Sequence, residues 1–147
     1  MLVGTVMQIL RILLVMLSLC PSRSEKDLGF RWALAEAIAE TTDDEHEQDI
    51  LARLGWYEAS YRRAVARCEI KGDGGKSMGV FQVQPMTGAD AKLACGSLVE
   101  QAGLALRYIH RSADMCPKNE GPAKLNLYVS GRCDRGLQQS KARWGEP

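Results

Sequence analysis

Four cysteines, Cys68, Cys95, Cys116 and Cys133, are spread over the middle and C-terminal parts of this chain, and a fifth, Cys20, lies at the end of an apolar N-terminus. No two of the four form a close C-x-x-C pair, so neither a zinc ribbon nor a thioredoxin-like redox motif is supported. In an oxidising compartment an even set of four pairs in one of three ways, and each bridge then restricts what the chain can fold into. The pairing expected here is Cys68 with Cys95 and Cys116 with Cys133, each closing a modest loop. In a reducing compartment the four would stay thiols.

The first 24 residues favour the oxidising setting. They place Arg11 ahead of an apolar run from Ile12 to Leu19, followed by small residues at Ser22 and Ser24. That is the order of a secretory signal, so residues 1–24 are expected to be a leader and the protein to be exported, periplasmic or secreted. The alternative is a retained anchor using the apolar stretch from Met1, which would place Arg11 at mid-bilayer at considerable cost. Leu17-Ser18-Leu19-Cys20 approaches a lipoprotein site, but Leu19 stands where a small residue is needed.

Without the leader, residues 25–147 are of a length for one domain. Loss of Arg11 and Arg23 leaves 17 basic and 18 acidic side chains. So balanced a surface carries no electrostatic footprint for nucleic acid or an anionic membrane.

The patterning predicts a mainly α domain. Residues 31–40 are Ala-rich with one apolar face, and Thr42 to Glu45 reads as a capping box opening the next helix. The acidic run Asp43 to Glu47 suits a helix N-terminus and needs no binding role. Glycines between Glu69 and Lys76 end the helical pattern, and residues 77–83 (SMGVFQV) read as a strand, giving one small β region. Helix then returns: a short segment capped at Thr87, a longer helix opened by the capping box Ser97 to Glu100, and a helix from Pro122 to Ser130 terminated by Gly131. Residues 137–143 add a last turn.

Few side chains are arranged for chemistry. His46 and His110 lie far apart, and His46-Glu47-Gln48-Asp49-Ile50 lacks the second His of a zinc-protease helix, so no metal site and no cofactor are expected. No Ser sits in a nucleophile elbow. One carboxylate stands out. Glu58, in Gly55-Trp56-Tyr57-Glu58-Ala59-Ser60-Tyr61, falls on the apolar stripe of its helix with Leu51 and Leu54. Removal from water penalises an ionised carboxyl, which suits a group that must hold and donate a proton. An ion pair with Arg53, Arg62 or Arg63 is the commoner reason for such a residue.

Three short motifs bear on that choice. Glu58-Ala59-Ser60-Tyr61, then residues 77–85 (SMGVFQVQP), then residues 127–131 (LYVSG) resemble, in order and spacing, the soluble lytic transglycosylase family of the lysozyme-like superfamily. That family reads E-S-x-[FY], G-x-x-Q followed by [IV]-x-P, and A-Y-N-x-G. The resemblance spans about residues 45 to 145. It implies an α-rich lysozyme-like fold, with the catalytic Glu at a helix end facing a cleft and a short β region as the opposite wall.

It also implies a reaction. Glu58 would protonate the glycosidic oxygen between N-acetylmuramic acid and N-acetylglucosamine in peptidoglycan, then accept the proton of the muramic C6 hydroxyl as that oxygen closes on C1. The product is a 1,6-anhydromuramic end, formed without water. The substrate's acetamido group stabilises the sugar cation, so a second carboxylate is not needed. Gly79 would admit close approach of the sugar chain, and Gln82 would lie at the cleft with Ser60 nearby. Met78 and Phe81 would pack on or beside sugar faces, Phe81 equally serving as core. The Tyr128 hydroxyl would lie near the Glu58 carboxylate. The partners implied are peptidoglycan glycan strands and a secretion, pilus, conjugation or phage apparatus.

Three positions depart from the family. Ala59 stands for the motif Ser, Leu127 for Ala, and Val129 for Asn, which removes a hydrogen bond that would position substrate or Glu58. Two other readings follow. A goose-type-lysozyme-like hydrolase would cut the same bond with water activated by Asp73, although an Asp-Gly pair is also an ordinary turn former. A non-catalytic glycan-binding component would need no apolar carboxylate.

Overall fold

The computed structural model describes residues 3–22 and 24–145, which fold mainly into α-helices. Met1, Leu2 and Arg23 of the expected leader, and Glu146 and Pro147 of the expected domain, lie outside the described residues. In chain order the helices are α1 (Val3–Leu19), α2 (Glu25–Thr41), α3 (Glu45–Ala59), α4 (Arg63–Ala66), α5 (Gly88–Ala94), α6 (Leu98–Met115), α7 (Asn126–Ser130) and α8 (Leu137–Trp144). α3 lies at the centre and packs against α1, α2, α6 and α8. Leu34 and Ile38 of α2, Leu51 and Leu54 of α3, Leu104 of α6 and Val80 and Phe81 of the loop between α4 and α5 form a closed core. Each such side chain contributes roughly 1.5–3 kcal/mol relative to exposure.

The apolar N-terminal stretch is α1. Ile9, Ile12, Leu13 and Met16 join the core, while Met7, Leu10 and Leu14 face outward. Arg11 donates from Nη1 to Asp49 Oδ1 at 2.7 Å and bonds Gln48, tying α1 to α3. Arg31, buried in α2, donates to the carbonyl of Cys20 and lies 4.8 Å from the centre of the Tyr61 ring. Among the described residues no helix is long and apolar enough to cross a membrane.

Local signals place most helix ends. Ser97 and Glu100 form the expected reciprocal capping box of α6, Thr87 caps α5, and Gly131 ends α7 in the left-handed conformation. The start of α3 is different. Its cap is Asp44, which accepts from Glu47 N at 2.9 Å, and Thr42 instead ends α2. Two overlapping cap patterns compete there, and the Asp carboxylate takes the helix. The segment from Pro122 to Ser130 begins as a 3₁₀ turn, Gly121–Leu125, before α7.

Residues 77–83 form no strand. Gly72 bridges Ser77, and Met78 bridges Val83, where Met78 N donates to Val83 O at 2.9 Å and Val83 N to Met78 O at 3.1 Å. The segment therefore folds back on itself. Gly79 (φ 78°) and Gln82 (φ 48°) lie in the left-handed region, which an extended strand cannot contain. The expected β region is reduced to these two bridges.

Both expected disulfides are formed, Cys68–Cys95 and Cys116–Cys133, with Cα atoms 5.7 and 5.6 Å apart. Such bridges persist in oxidising surroundings. Cys20 is a free thiol.

Candidate active site

α3 ends abruptly after Glu58. Ser60 (φ 51°) and Tyr61 (φ 52°) are both left-handed, uncommon for non-glycine residues, and their amides cap the helix on Trp56 O at 2.8 Å and Gly55 O at 3.1 Å. The reversal drives Tyr61 back under the helix, where its hydroxyl donates to Ala52 O at 2.8 Å. Gly55 makes the room: a Cβ there would come within 3.0 Å of the Tyr61 ring. Glu58 is thus held on the last turn by a buried Tyr, and not by the apolar stripe alone.

Its surroundings differ from those expected. Glu58 keeps 21% side-chain exposure, and its Oε1 accepts from Arg143 Nε of α8 at 2.7 Å, not from Arg53, Arg62 or Arg63. The guanidinium is itself fixed: Nη1 donates to Gln139 O at 2.9 Å, and the group lies 5.3 Å from the centre of the Tyr57 ring. Trp144, the next residue, meets His46 edge-on with ring centres 4.3 Å apart, which docks α8 on α3.

Beside this pair a cleft of about 440 Å³ opens between the turns after α4, α6 and α7. Gln82, Tyr128 and Asp73 line it, joined by Tyr108 and Arg111 of α6 and by Val129. Tyr128 links the cleft to Glu58. Its hydroxyl donates to Phe81 O at 2.7 Å, and its backbone amide donates to Ser112 Oγ at 3.2 Å. Burial, followed by the negative charge of Glu58, pushes the Tyr128 phenol well above its ordinary range. The carboxylate is therefore close enough for its charge to act on the ring, yet Tyr128 spends its proton on Phe81, and Glu58 is not itself part of the cleft lining.

Asp73 is ionised in the cleft. Hydrogen bonds from Ser77 Oγ and from Gln84 Nε2, the latter at 3.1 Å, hold its carboxyl below the usual carboxylate range. Gln82 lines the cleft with its amide already bonded, Nε2 donating to Gly79 O at 2.9 Å. The side wall is braced by Tyr108, which donates to Asp90 Oδ2 at 2.7 Å and accepts from Met86 N at 2.9 Å.

Other expected contacts are not made. Phe81, 1% exposed, takes the core role, one of the two expected of it, and Met78 packs against that core. Gly79 allows close approach, but of the protein to itself: a Cβ there would stand 2.3 Å from Ala94 O. Ser60 opens into a separate depression with Arg62 and Arg67. Among the described residues no group of three or more His, Cys, Asp or Glu side chains is placed to hold a metal ion.

Arg143, Tyr108 and Arg111 were not evident from the sequence. Tyr108 and Arg111 are three apart on α6, a spacing that puts them on one face but equally describes a solvated one. Arg143 stands 85 residues from its partner. Comparison of the chain with protein-family models, with curated proteins and with solved structures gives no match.

Proposed function

We propose that this chain is a peptidoglycan lytic transglycosylase with a lysozyme-like fold, in which Glu58 is the sole general acid and base. One observation carries the reading. Two motifs far apart in sequence meet at one cleft, where Tyr128 bonds the backbone of Phe81 and Gln82 lines the same opening, and the third lies on its flank, with Glu58 within electrostatic reach of Tyr128. Protonated Glu58 donates to the oxygen between muramic acid and glucosamine, the C–O bond breaks, and the cation at C1 is shared with the acetamido oxygen. The resulting carboxylate takes the C6 hydroxyl proton as that oxygen bonds C1. A partly exposed carboxyl at a helix end, adjoining a polar cleft, suits both roles.

A second reading rests on Asp73, an ionised carboxylate in the same cleft. If it activates water, the enzyme is a hydrolase of the same bond. Mass spectrometry of muropeptides released from purified peptidoglycan separates the two. Products one water lighter than hydrolytic ones, lost by at least about 10²-fold in Glu58→Gln and retained in Asp73→Asn, are expected. Reducing-end products that vanish in Asp73→Asn would establish the hydrolase. No products from the folded protein would leave a glycan-binding domain.

A further inference from the structure

Glu58 is held away from its proposed task. A carboxyl that hands a proton to a leaving oxygen must be neutral, whereas its 2.7 Å contact with Arg143 is that of an anion with a guanidinium. Arg143 occupies Oε1, and Glu58 does not line the cleft. Among the described residues, the charged and titratable groups that face this carboxylate are Arg143 of α8 and Tyr128 of α7. Of the other elements packed on α3, α1 directs Arg11 to Asp49, α2 directs Arg31 to the Tyr61 ring, and α6 directs His110 to Glu47 while its Arg111 lines the cleft.

The element that brings Arg143 is docked on α3 and on the 3₁₀ turn before α7, with Trp144 packed against the core and against His46. α8 has a single buried side chain, Ser140, which donates to Asn126 Oδ1 at 2.7 Å, and left-handed glycines bound it at Gly136 and Gly145. Arg143 keeps two other supports, Gln139 O and the Tyr57 ring, so it is not stranded when Glu58 leaves.

We infer that Arg143 is a positioning residue that holds Glu58 in a resting pose beside the cleft, and that turnover draws on molecules in which the carboxyl has left the guanidinium. The inference rests on the reading of Glu58 as acid and base. Its test uses the full chain with peptidoglycan, in wild type, Arg143→Met and Arg143→Lys, together with NMR of the protein labelled at glutamate. Release of the pair in Arg143→Met raises kcat roughly two- to fivefold, the factor a partly exposed ion pair is worth, with KM within about twofold. Arg143→Lys, which keeps the cation, stays at the wild-type rate. The γ-methylene protons of Glu58 have distinct shifts in wild type and Arg143→Lys and average in Arg143→Met. A kcat for Arg143→Met equal to or below wild type would overturn the inference, as would γ-methylene shifts that stay distinct. If wild type cleaves nothing, the transglycosylase reading fails, and the NMR comparison alone decides whether Arg143 holds Glu58.

Discussion

Asp90 shows how one carboxylate braces the cleft wall. It accepts from the Tyr108 hydroxyl and from Arg107, and these two bonds, the Tyr108 one first, hold its carboxyl below its ordinary value of 3.8. A depressed carboxyl stabilises the fold at every pH above its unfolded value, and that contribution is lost as pH falls through the lower folded value. The expected consequence is a decline in thermal midpoint below about pH 4 that is shallower in Asp90→Asn. Unfolding scans between pH 3 and 6 check it; identical slopes for both proteins would show that Asp90 adds nothing. Glu58 shows the limit of reading at this scale. Its place at the end of α3 follows from a local pattern, but its partner comes from α8, and no local pattern distinguishes Arg143 from the arginines much closer in sequence.

At the scale of elements, Gln101 of α6 does what a strand would otherwise do for the loop after α4. Its side chain donates to Ala66 O at 2.7 Å and Gly96 O at 2.9 Å and accepts from Val80 N at 2.8 Å, joining three segments from a 3% exposed position. Replacement by Leu strands those backbone groups without partners, at about 1–3 kcal/mol each. Chemical denaturation of Gln101→Leu is expected to show a loss of at least about 3 kcal/mol; a loss under about 1 would mean that water replaces the amide. The sequence pattern led elsewhere. The β-branched and aromatic residues of Ser77 to Val83 read as strand, because such a run records which side chains go inside and not the path of the backbone between them. Helix caps fared better at Ser97 and Thr87, where one cap residue has no rival, than at Thr42, where Asp44 stands two positions on.

Across the whole molecule the cleft is gathered from Asp73 to Gly131, with Glu58 and Arg143 on its flank. The cysteines indicated much of this arrangement, since loop length alone favoured the two bridges that form. Cys68–Cys95 fastens the segment after α4 to the end of α5, and Cys116–Cys133 fastens the end of α6 to the loop after α7, the helix that carries Tyr128. Replacing Cys116 and Cys133 by Ser is expected to cost about 2–4 kcal/mol, read as a lower denaturant midpoint. An unchanged midpoint would mean that packing alone holds α7.

Those two bridges also make the protein's surroundings a component of its site. Where thiols are kept reduced, the same 147 residues lack both fasteners, and the walls bearing Asp73 and Tyr128 are joined only by packing and hydrogen bonds. The cleft is therefore completed by an oxidant as much as by the ribosome, and a cell that withholds the oxidant holds the unfinished form.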